Sequence, residues 1–249
     1  MPRQAREKSN SGIYHIMLRG INQQVIFEDD EDNQKFVDTL KTYKAISGYK
    51  VFAYCLMSNH VHLLLGIEKE DLSLVMKRIA GSYVYWYNWK YKRRGHLFQD
   101  RFKSEPVEND EYFITVLRYI HQNPLKAKIV ESIEKYPFSS YNDYIRQDGR
   151  LIDIDFSTAI LNRERFEAFH AEKNDDVCLE YDENVFRLDD EEARKIILKV
   201  CRCRNATEVQ MMEAGQRNKC IAILKTKGLS IRQISRLTGI GKGIVERSE

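Results

Sequence analysis

Apolar and polar residues follow two different rhythms along roughly the first 145 residues of the chain. Two-residue alternation and short apolar runs predict β-strands over residues 13–18, 50–57, 60–67 and 102–107. Apolar residues spaced three or four positions apart predict helices over residues 30–47, 71–92 and 109–123. The resulting order, βαββαβα, is typical of an antiparallel sheet with helices packed on it, so we predict an α+β fold.

Local signals place several element ends. Gly48 follows the first predicted helix and can close it, and residues 57–60 fit a tight hairpin between two strands. Asn109 or Asp110 can cap the third helix. Pro124 is expected to limit the end of that helix, because the residue before a proline disfavours helical geometry.

The chain becomes helical in pattern after a polar, turn-rich stretch over residues 143–150. We therefore predict a catalytic domain over 1–147, a helical linker region over 148–204 and a small all-α region over 205–249. In the last region Gly228, Ser230 and Gly239 separate three short helices. This pattern resembles a DNA-binding helix-turn-helix, and the alternative is a small bundle that only packs.

Composition excludes several classes of protein. With 249 residues and 43% hydrophobic content, the chain can bury a core, and no apolar run approaches the roughly 20 residues of a membrane span. The basic, polar start is not expected to be a secretory signal. Five cysteines without framework spacing suggest a reduced, cytoplasmic setting.

Basic residues are concentrated in two blocks, although the net charge is only +3. Residues 76–103 hold eight basic side chains and one acid, and residues 215–249 hold eight more with two acids. The stretch 175–192 between them is strongly acidic. Two basic blocks suggest two surfaces for a polyanion, with solvated helix faces as the alternative. Arg101, Arg232, Arg236 and Lys242 are the candidate DNA contacts from these blocks.

Two histidines share one face of the predicted strand 60–67, because residues i and i+2 of a strand point the same way. His60 and His62 are followed by three leucines, which indicates a buried strand. Two buried imidazoles are costly unless something satisfies them, and a divalent metal is a natural partner. The alternative is a pair of histidines hydrogen-bonded within the core.

Tyr119 and Asn123 lie one turn apart on the helix predicted over 109–123. The phenol and the carboxamide can therefore reach the same point in space. Asn123 can offer its carbonyl oxygen to a metal, and Tyr119 can then face a phosphate held there. The alternative is that Tyr119, one of 14 tyrosines, is a packing residue.

Five sequence segments in order resemble the single-tyrosine HUH transposases, in which HUH means His-hydrophobic-His. They are YHIMLRG at residues 14–20, MSNHVHLL at 57–64, LFQDRF at 97–102, RYIHQNP at 118–124 and YPFSSY at 136–141. The resemblance covers about residues 10–145 and is nearest to the REP-associated tyrosine transposase branch. It implies a ferredoxin-like sheet with the histidine pair on a central strand and the nucleophile on a following helix.

The resemblance also implies a mechanism. Tyr119 would attack a DNA phosphate and leave a 5′-phosphotyrosine link. His60 and His62 would hold Mg²⁺ or Mn²⁺, with Asn123 as the third ligand. Many relatives of the insertion-sequence type have Gln at that position, so Asn123 indicates the REP-associated branch.

The implied substrate is single-stranded DNA beside a hairpin. Trp86 and Trp89 are candidates for base stacking. His15 and Arg19 match a family segment near the active site, and we assign them to DNA contact. The C-terminal region, which is not part of the minimal family domain, would add duplex DNA binding.

The resemblance leaves several alternatives open. It implies a bacterial-type cytoplasmic, nucleoid-associated protein with no membrane partner, either a monomer or a homodimer. Two rival functions are an inactive hairpin-DNA-binding regulator derived from a transposase and a phosphoesterase that uses water instead of Tyr119.

Overall fold

The computed structural model describes residues 6–180 and 190–248. The chain divides into two compact units, Met1–Glu180 and Tyr181–Glu249. Residues 181–189, which lie in the acidic stretch noted above, are outside the described residues. Each unit is described by itself.

A four-stranded sheet forms the centre of the first unit. Its strands are β1 (Ile13–Arg19), β2 (Lys50–Met57), β3 (His60–Gly66) and β4 (Lys103–Pro106). They lie in the order β2-β3-β1-β4, and each neighbouring pair is antiparallel. The predicted α+β class and ferredoxin-like arrangement are therefore confirmed. The strand carrying the histidine pair is one of the two central strands.

Six α-helices accompany the sheet in the described part of the first unit. They are α1 (Asp30–Ser47), α2 (Leu72–Lys90), α3 (Asp110–Lys126), α4 (Tyr141–Arg146), α5 (Ile154–Ile160) and α6 (Arg163–Ala171). The caps of α1 show why its predicted bounds are confirmed. The Asp29 carboxylate accepts from the Asp32 amide at 3.1 Å, and Gly48 takes the left-handed conformation that ends the helix.

The α3 helix runs past Pro124, so the expectation that this proline limits the helix is wrong by one turn. The Asn109 side chain caps its start, accepting from the Tyr112 amide at 2.8 Å. Pro124 has no N–H and removes a single helical hydrogen bond near the end. The ladder resumes with the Ala127 amide, which donates to the Asn123 carbonyl at 2.9 Å. The loss of one hydrogen bond near the C-terminal end of α3 does not end the helix.

The polar turn at residues 147–150 is a surface turn within the first unit. Ile154 of α5 and Phe166 of α6 are buried in the same core as the sheet. Further along the chain, Ile197 belongs to a separate core in the second unit. The predicted linker region 148–204 therefore divides between the two units, because apolar residues on both of its parts are buried against different cores.

The second unit contains the helices predicted near the C-terminus. They are α7 (Asp190–Cys201), α8 (Ala214–Thr226), α9 (Ile231–Thr238) and α10 (Lys242–Arg247). The Ser230 hydroxyl caps α9 by accepting from the Gln233 amide at 3.2 Å, and Gly239 ends it with φ 76°. Ile221, Leu224, Ile234, Leu237 and Val245 form part of its core. The helices after residue 205 thus share one small core with α7.

Two further structural facts bear on the classes excluded by composition. Within residues 6–180 and 190–248, no helix is both long and apolar enough to cross a lipid bilayer. All five cysteines are free thiols.

Candidate active site

His60 and His62 lie side by side on β3, with ring centroids 5.1 Å apart. The antiparallel register places Arg19 of β1 opposite His60 and Met17 opposite His62. His62 is buried, whereas His60, at the hairpin end of the strand, is half-buried. The alternation of the strand therefore produces the same-face pair that the sequence predicts.

Both imidazoles are neutral near pH 7. Burial and the nearby Arg19 guanidinium lower the pKa of His60 to about 4. Burial lowers the pKa of His62 well below its usual range, and the neighbouring His60 and His15 rings act in the same direction. A neutral imidazole keeps one nitrogen lone pair, which is the form that binds a metal.

The Nδ1 atom of each ring is already engaged. His60 Nδ1 lies 2.6 Å from the Asn59 side-chain oxygen, and His62 Nδ1 lies 3.1 Å from Nε2 of His15. The nitrogen left for a ligand is Nε2 in both rings. Two neutral imidazoles oriented through Nδ1 fit a divalent transition ion, for which imidazole is a common ligand.

Asn123, the predicted third ligand, lies on α3 one turn after Tyr119. Its side-chain nitrogen donates to the Tyr119 carbonyl at 3.1 Å, which anchors the carboxamide along its own helix. The part of the chain that the structure describes contains no group of three or more His, Cys, Asp or Glu residues able to hold a metal. Asn123 as a metal ligand stays a prediction.

Tyr119 lies against the histidine cluster. Its ring centroid is 5.7 Å from that of His62 and 5.8 Å from that of His15, both in edge-on geometry. The side chain is buried, and its hydroxyl donates to the carboxylate of Glu180. Burial, that hydrogen bond and the negative charge of Glu180 all raise the pKa of Tyr119.

The segment 172–180 runs over α3 next to Tyr119 and is held there by several hydrogen bonds. The Arg118 guanidinium binds Asp176 through two hydrogen bonds of 2.8 and 3.0 Å. The Leu179 amide donates to Glu105 at 3.0 Å. Together with the Tyr119 contact, these bonds hold Glu180 at the candidate nucleophile.

Glu105 is a site residue that the sequence reasoning missed. It lies on β4 directly opposite His15 of β1, and its carboxylate lies 2.8 Å from His15 Nδ1. A single acid within the predicted strand 102–107 is a signal that could have drawn attention to it. Glu180 was missed as well, and nothing in its local sequence marks it.

The assignment of His15 to DNA contact stays a prediction, although the structure places the ring inside the unit. The side chain is 0% exposed and is bonded on both ring nitrogens, to Glu105 and to His62. β1 is buried along most of its length, and the His15 ring lies 5.8 Å from the ring of Tyr119 on α3. Arg19, four residues further on, is half-buried beside His60.

Part of the basic block over residues 76–103 forms contacts within the unit. Lys90 binds the carboxylates of Asp29, Glu31 and Asp32, each at 2.8 Å. Arg101 is exposed. The aromatic candidates also differ from one another, because Trp86 is half-buried whereas Trp89 is largely exposed.

The three candidate DNA contacts in the second unit all lie on its surface. Arg232 and Lys242 are exposed, on α9 and at the start of α10. Arg236, also exposed, forms an ion pair with Asp190. Its guanidinium is therefore partly occupied within the unit.

Comparisons with known proteins show similarity to transposases. Residues 8–123 match the family model described as transposase, IS200-like. A putative REP-associated tyrosine transposase of Haemophilus influenzae is 25% identical over 112 residues, covering 40% of this chain and 63% of that protein. The match therefore spans less than two thirds of that relative.

A solved structure of a REP-associated tyrosine transposase bound to a REP hairpin shares the fold. The TM-score is 0.53 at 18% identity, over 62% of this chain and 90% of that one.

Proposed function

Because residues 8–123 match the family model described as transposase, IS200-like, we propose that this chain cuts and rejoins single-stranded DNA through Tyr119. The observation that carries the proposal is the placement of the Tyr119 ring 5.7 Å from His62, beside a pair of neutral imidazoles. The proposed nucleophile and the proposed metal ligands thus lie next to each other, although they come from a helix and a strand nearly 60 residues apart in the sequence.

The chemical step is a transesterification. The Tyr119 oxygen attacks the phosphorus of a DNA phosphodiester and displaces the 3′ oxygen of the neighbouring nucleotide. The phenol loses its proton and the leaving oxygen gains one, so the products are a 5′-phosphotyrosine and a free 3′-hydroxyl. Since one phosphodiester is exchanged for another, the reverse attack by a 3′-hydroxyl rejoins the strand.

His60 and His62 would hold the metal, Mg²⁺ or Mn²⁺, through Nε2, with the Asn123 side-chain oxygen as a third ligand. When bound, the ion supplies a positive charge that polarises the phosphate and stabilises the leaving oxygen. Imidazole ligands favour Mn²⁺ over Mg²⁺. The chain itself positions Tyr119 by burying its ring and fixes the two imidazoles through Asn59 and His15.

The proposed substrate is a single strand next to a hairpin, since the related solved structure holds a REP hairpin. Tyr85 and Trp89 of α2 are largely exposed and offer ring faces on which bases can stack. Arg19 and Arg101 remain our candidates for phosphate contact in this unit. In the second unit, Arg232 and Lys242 are the exposed cations through which duplex DNA would bind.

A second candidate function is a regulator that binds hairpin DNA without cutting it. The observation that favours it is the hydrogen bond between Tyr119 and Glu180, which occupies the nucleophile. The two functions share the fold and the DNA and differ only in the covalent step. An assay for that step therefore separates them.

The test is incubation of the full chain with 5′- and 3′-labelled hairpin-flanked oligonucleotides and Mn²⁺, followed by a denaturing gel. We expect a covalent protein–DNA band that disappears in Tyr119→Phe. Tyr85→Phe is the matched control, because it removes the hydroxyl of an exposed tyrosine but keeps its ring. Strand cleavage without a band would indicate hydrolysis by water, and binding without either product would favour the regulator.

A further inference from the structure

Three side chains form a continuous hydrogen-bonded chain across three neighbouring strands. His62 Nδ1 of β3 lies 3.1 Å from His15 Nε2 of β1, and His15 Nδ1 lies 2.8 Å from the Glu105 carboxylate of β4. His15 and Glu105 are direct register partners, and Met17 lies opposite His62, which makes His15 its diagonal neighbour. The sheet register therefore builds the chain.

Glu105 is a carboxylate at neutral pH and can only accept hydrogen bonds. Burial raises its pKa, but the hydrogen bond and the electrostatic interaction with His15, together with hydrogen bonds from the Tyr112 hydroxyl and the Leu179 amide, outweigh burial and leave the pKa below its ordinary value. All three donors bind the same oxygen, Oε1. The atom facing His15 is thus an acceptor, and His15 Nδ1 must carry a proton.

The proton on His15 Nδ1 determines the direction of the hydrogen bond between His15 and His62. A neutral His15 with its proton on Nδ1 has a lone pair on Nε2, so it accepts from His62 Nδ1. The lone pair of His62 then lies on Nε2. If His15 Nε2 instead donated to His62 Nδ1, His15 would need protons on both nitrogens. It would then be a cation with 0% exposure directly beside the imidazole that would bind a metal.

We infer that Glu105 and His15 are positioning residues that set the tautomer of His62, so that its Nε2 atom presents a lone pair to the divalent cation. His60 has its own orienting partner in Asn59, whose side-chain oxygen lies 2.6 Å from His60 Nδ1. The binding of a cation by His62 rests on the proposed function. The tautomer of His62 does not, because it is a property of the metal-free protein.

Nitrogen NMR of the metal-free full chain, labelled with ¹⁵N-histidine, tests the inference. Long-range proton–nitrogen correlations report which nitrogen of each imidazole is protonated. We expect His62 to carry its proton on Nδ1. The buried pair His121 and His170, whose ring nitrogens lie 2.9 Å apart, provides an internal reference that also reports folding. A His62 protonated on Nε2 in the wild type would overturn the inference.

Three substitutions make the test specific to the hydrogen bonds that join Glu105, His15 and His62. Glu105→Leu removes the acceptor, so His15 can move its proton to Nε2 and drive His62 into the opposite tautomer. Glu105→Gln keeps an oxygen acceptor and should retain the wild-type tautomer. Tyr112→Phe, the matched control, removes another donor to the same oxygen without touching His15.

Mn²⁺ binding, followed by electron paramagnetic resonance without DNA, provides the second readout. We expect Glu105→Leu to weaken Mn²⁺ affinity by about tenfold or more, the size typical for loss of an orienting partner. Glu105→Gln and Tyr112→Phe should keep the affinity within about threefold of wild type. If His62 keeps its tautomer in Glu105→Leu while the reference signals are native, the inference fails. His15→Phe repeats the test should Glu105→Leu not fold. A normal tautomer with no covalent product would instead reject the proposed function.

Discussion

The hydroxyl of Tyr119 donates a hydrogen bond to the carboxylate of Glu180. The bond stabilises the protonated phenol, and the negative charge of Glu180 opposes both a phenolate and an approaching phosphate. The segment 172–180 that carries Glu180 is fastened by Arg118 and Glu105, which belong to α3 and β4. The Glu180 carboxylate thus favours the protonated form of Tyr119.

Replacing Glu180 with Gln should speed formation of the covalent DNA adduct. The substitution removes a charge-assisted hydrogen bond, so we expect an increase of about tenfold, equivalent to about 1.4 kcal/mol. Because the pKa of Tyr119 is raised in the wild type, its rate should climb with rising pH, and the climb should begin at lower pH in the variant. Single-turnover gels between pH 6 and 10 measure both effects.

Glu172→Gln is the matched control for that measurement. Glu172 lies in the same segment but pairs with Arg118, at 3.3 Å, rather than with Tyr119. The Glu172→Gln substitution should leave the pH profile of adduct formation unchanged. A Glu180→Gln variant that is slower than wild type would contradict the prediction and would make Glu180 the base that accepts the Tyr119 proton.

The ion pair between Arg118 and Asp176 should contribute strongly to stability. Both side chains are largely buried, 9% and 13% exposed, and the guanidinium binds the carboxylate through two hydrogen bonds. Asp176→Ala leaves a buried cation without its main partner, so we expect a loss of about 3 kcal/mol in the free energy of unfolding. Urea titration monitored by Trp86 and Trp89, both in the first unit, provides the measurement.

An exposed pair is the comparison for Asp176→Ala. Arg163 and Glu167 form an ion pair on α6 at 3.2 Å, with side chains 60% and 48% exposed. Glu167→Ala should cost less than about 1 kcal/mol, since solvent screens such pairs. Equal losses in the two variants would show that burial does not set the strength of the Arg118 pair.

Stability of the first unit should fall as the pH drops from about 6.5 to about 4. Burial lowers the pKa of His170 to about 4, and the charge of Arg118 adds to this, although a hydrogen bond to the Phe166 carbonyl opposes it. The unfolded chain, with a histidine pKa near 6.5, therefore binds more protons across this range. The contribution is fully present above the unfolded pKa and is lost below it, on the order of 2 kcal/mol at pH 5.

Urea midpoints at pH 7 and pH 5 measure this loss. In His170→Gln the difference between the two pH values should shrink, because Gln can still accept from His121 and donate to Phe166 but does not titrate. His96→Gln, at an exposed histidine, is the control and should retain the full difference. An unchanged difference in His170→Gln would assign the effect to other groups.

The second unit should bind duplex DNA through Arg232 and Lys242. Replacing both with Gln removes two phosphate contacts, so affinity should fall about tenfold and the slope of log affinity against log salt by about two. Fluorescence anisotropy with duplex DNA at several salt concentrations gives both quantities. Lys195→Gln on α7 is the control, since Lys195 pairs with Glu191 at 3.1 Å. A salt slope unaltered by the double substitution would leave this unit without a DNA role.

The sequence by itself determined the local geometry of the candidate site. Strand alternation alone places His60 and His62 on one face, and helical spacing alone places Asn123 one turn after Tyr119. Caps such as Asp29 and Gly48 are equally local, so the bounds of α1 follow from the chain without knowledge of its neighbours. These features depend on residues only a few positions apart, which is why periodicity predicts them.

Only the tertiary structure decided what surrounds those residues. His15 meets Glu105, 90 positions away, because β1 and β4 pair in one particular register, and a shift by one residue would turn Glu105 to the other face. Glu180 reaches Tyr119 because its segment is fastened across α3. Register and long-range docking result from the sum of many distant contacts, and no local pattern encodes them.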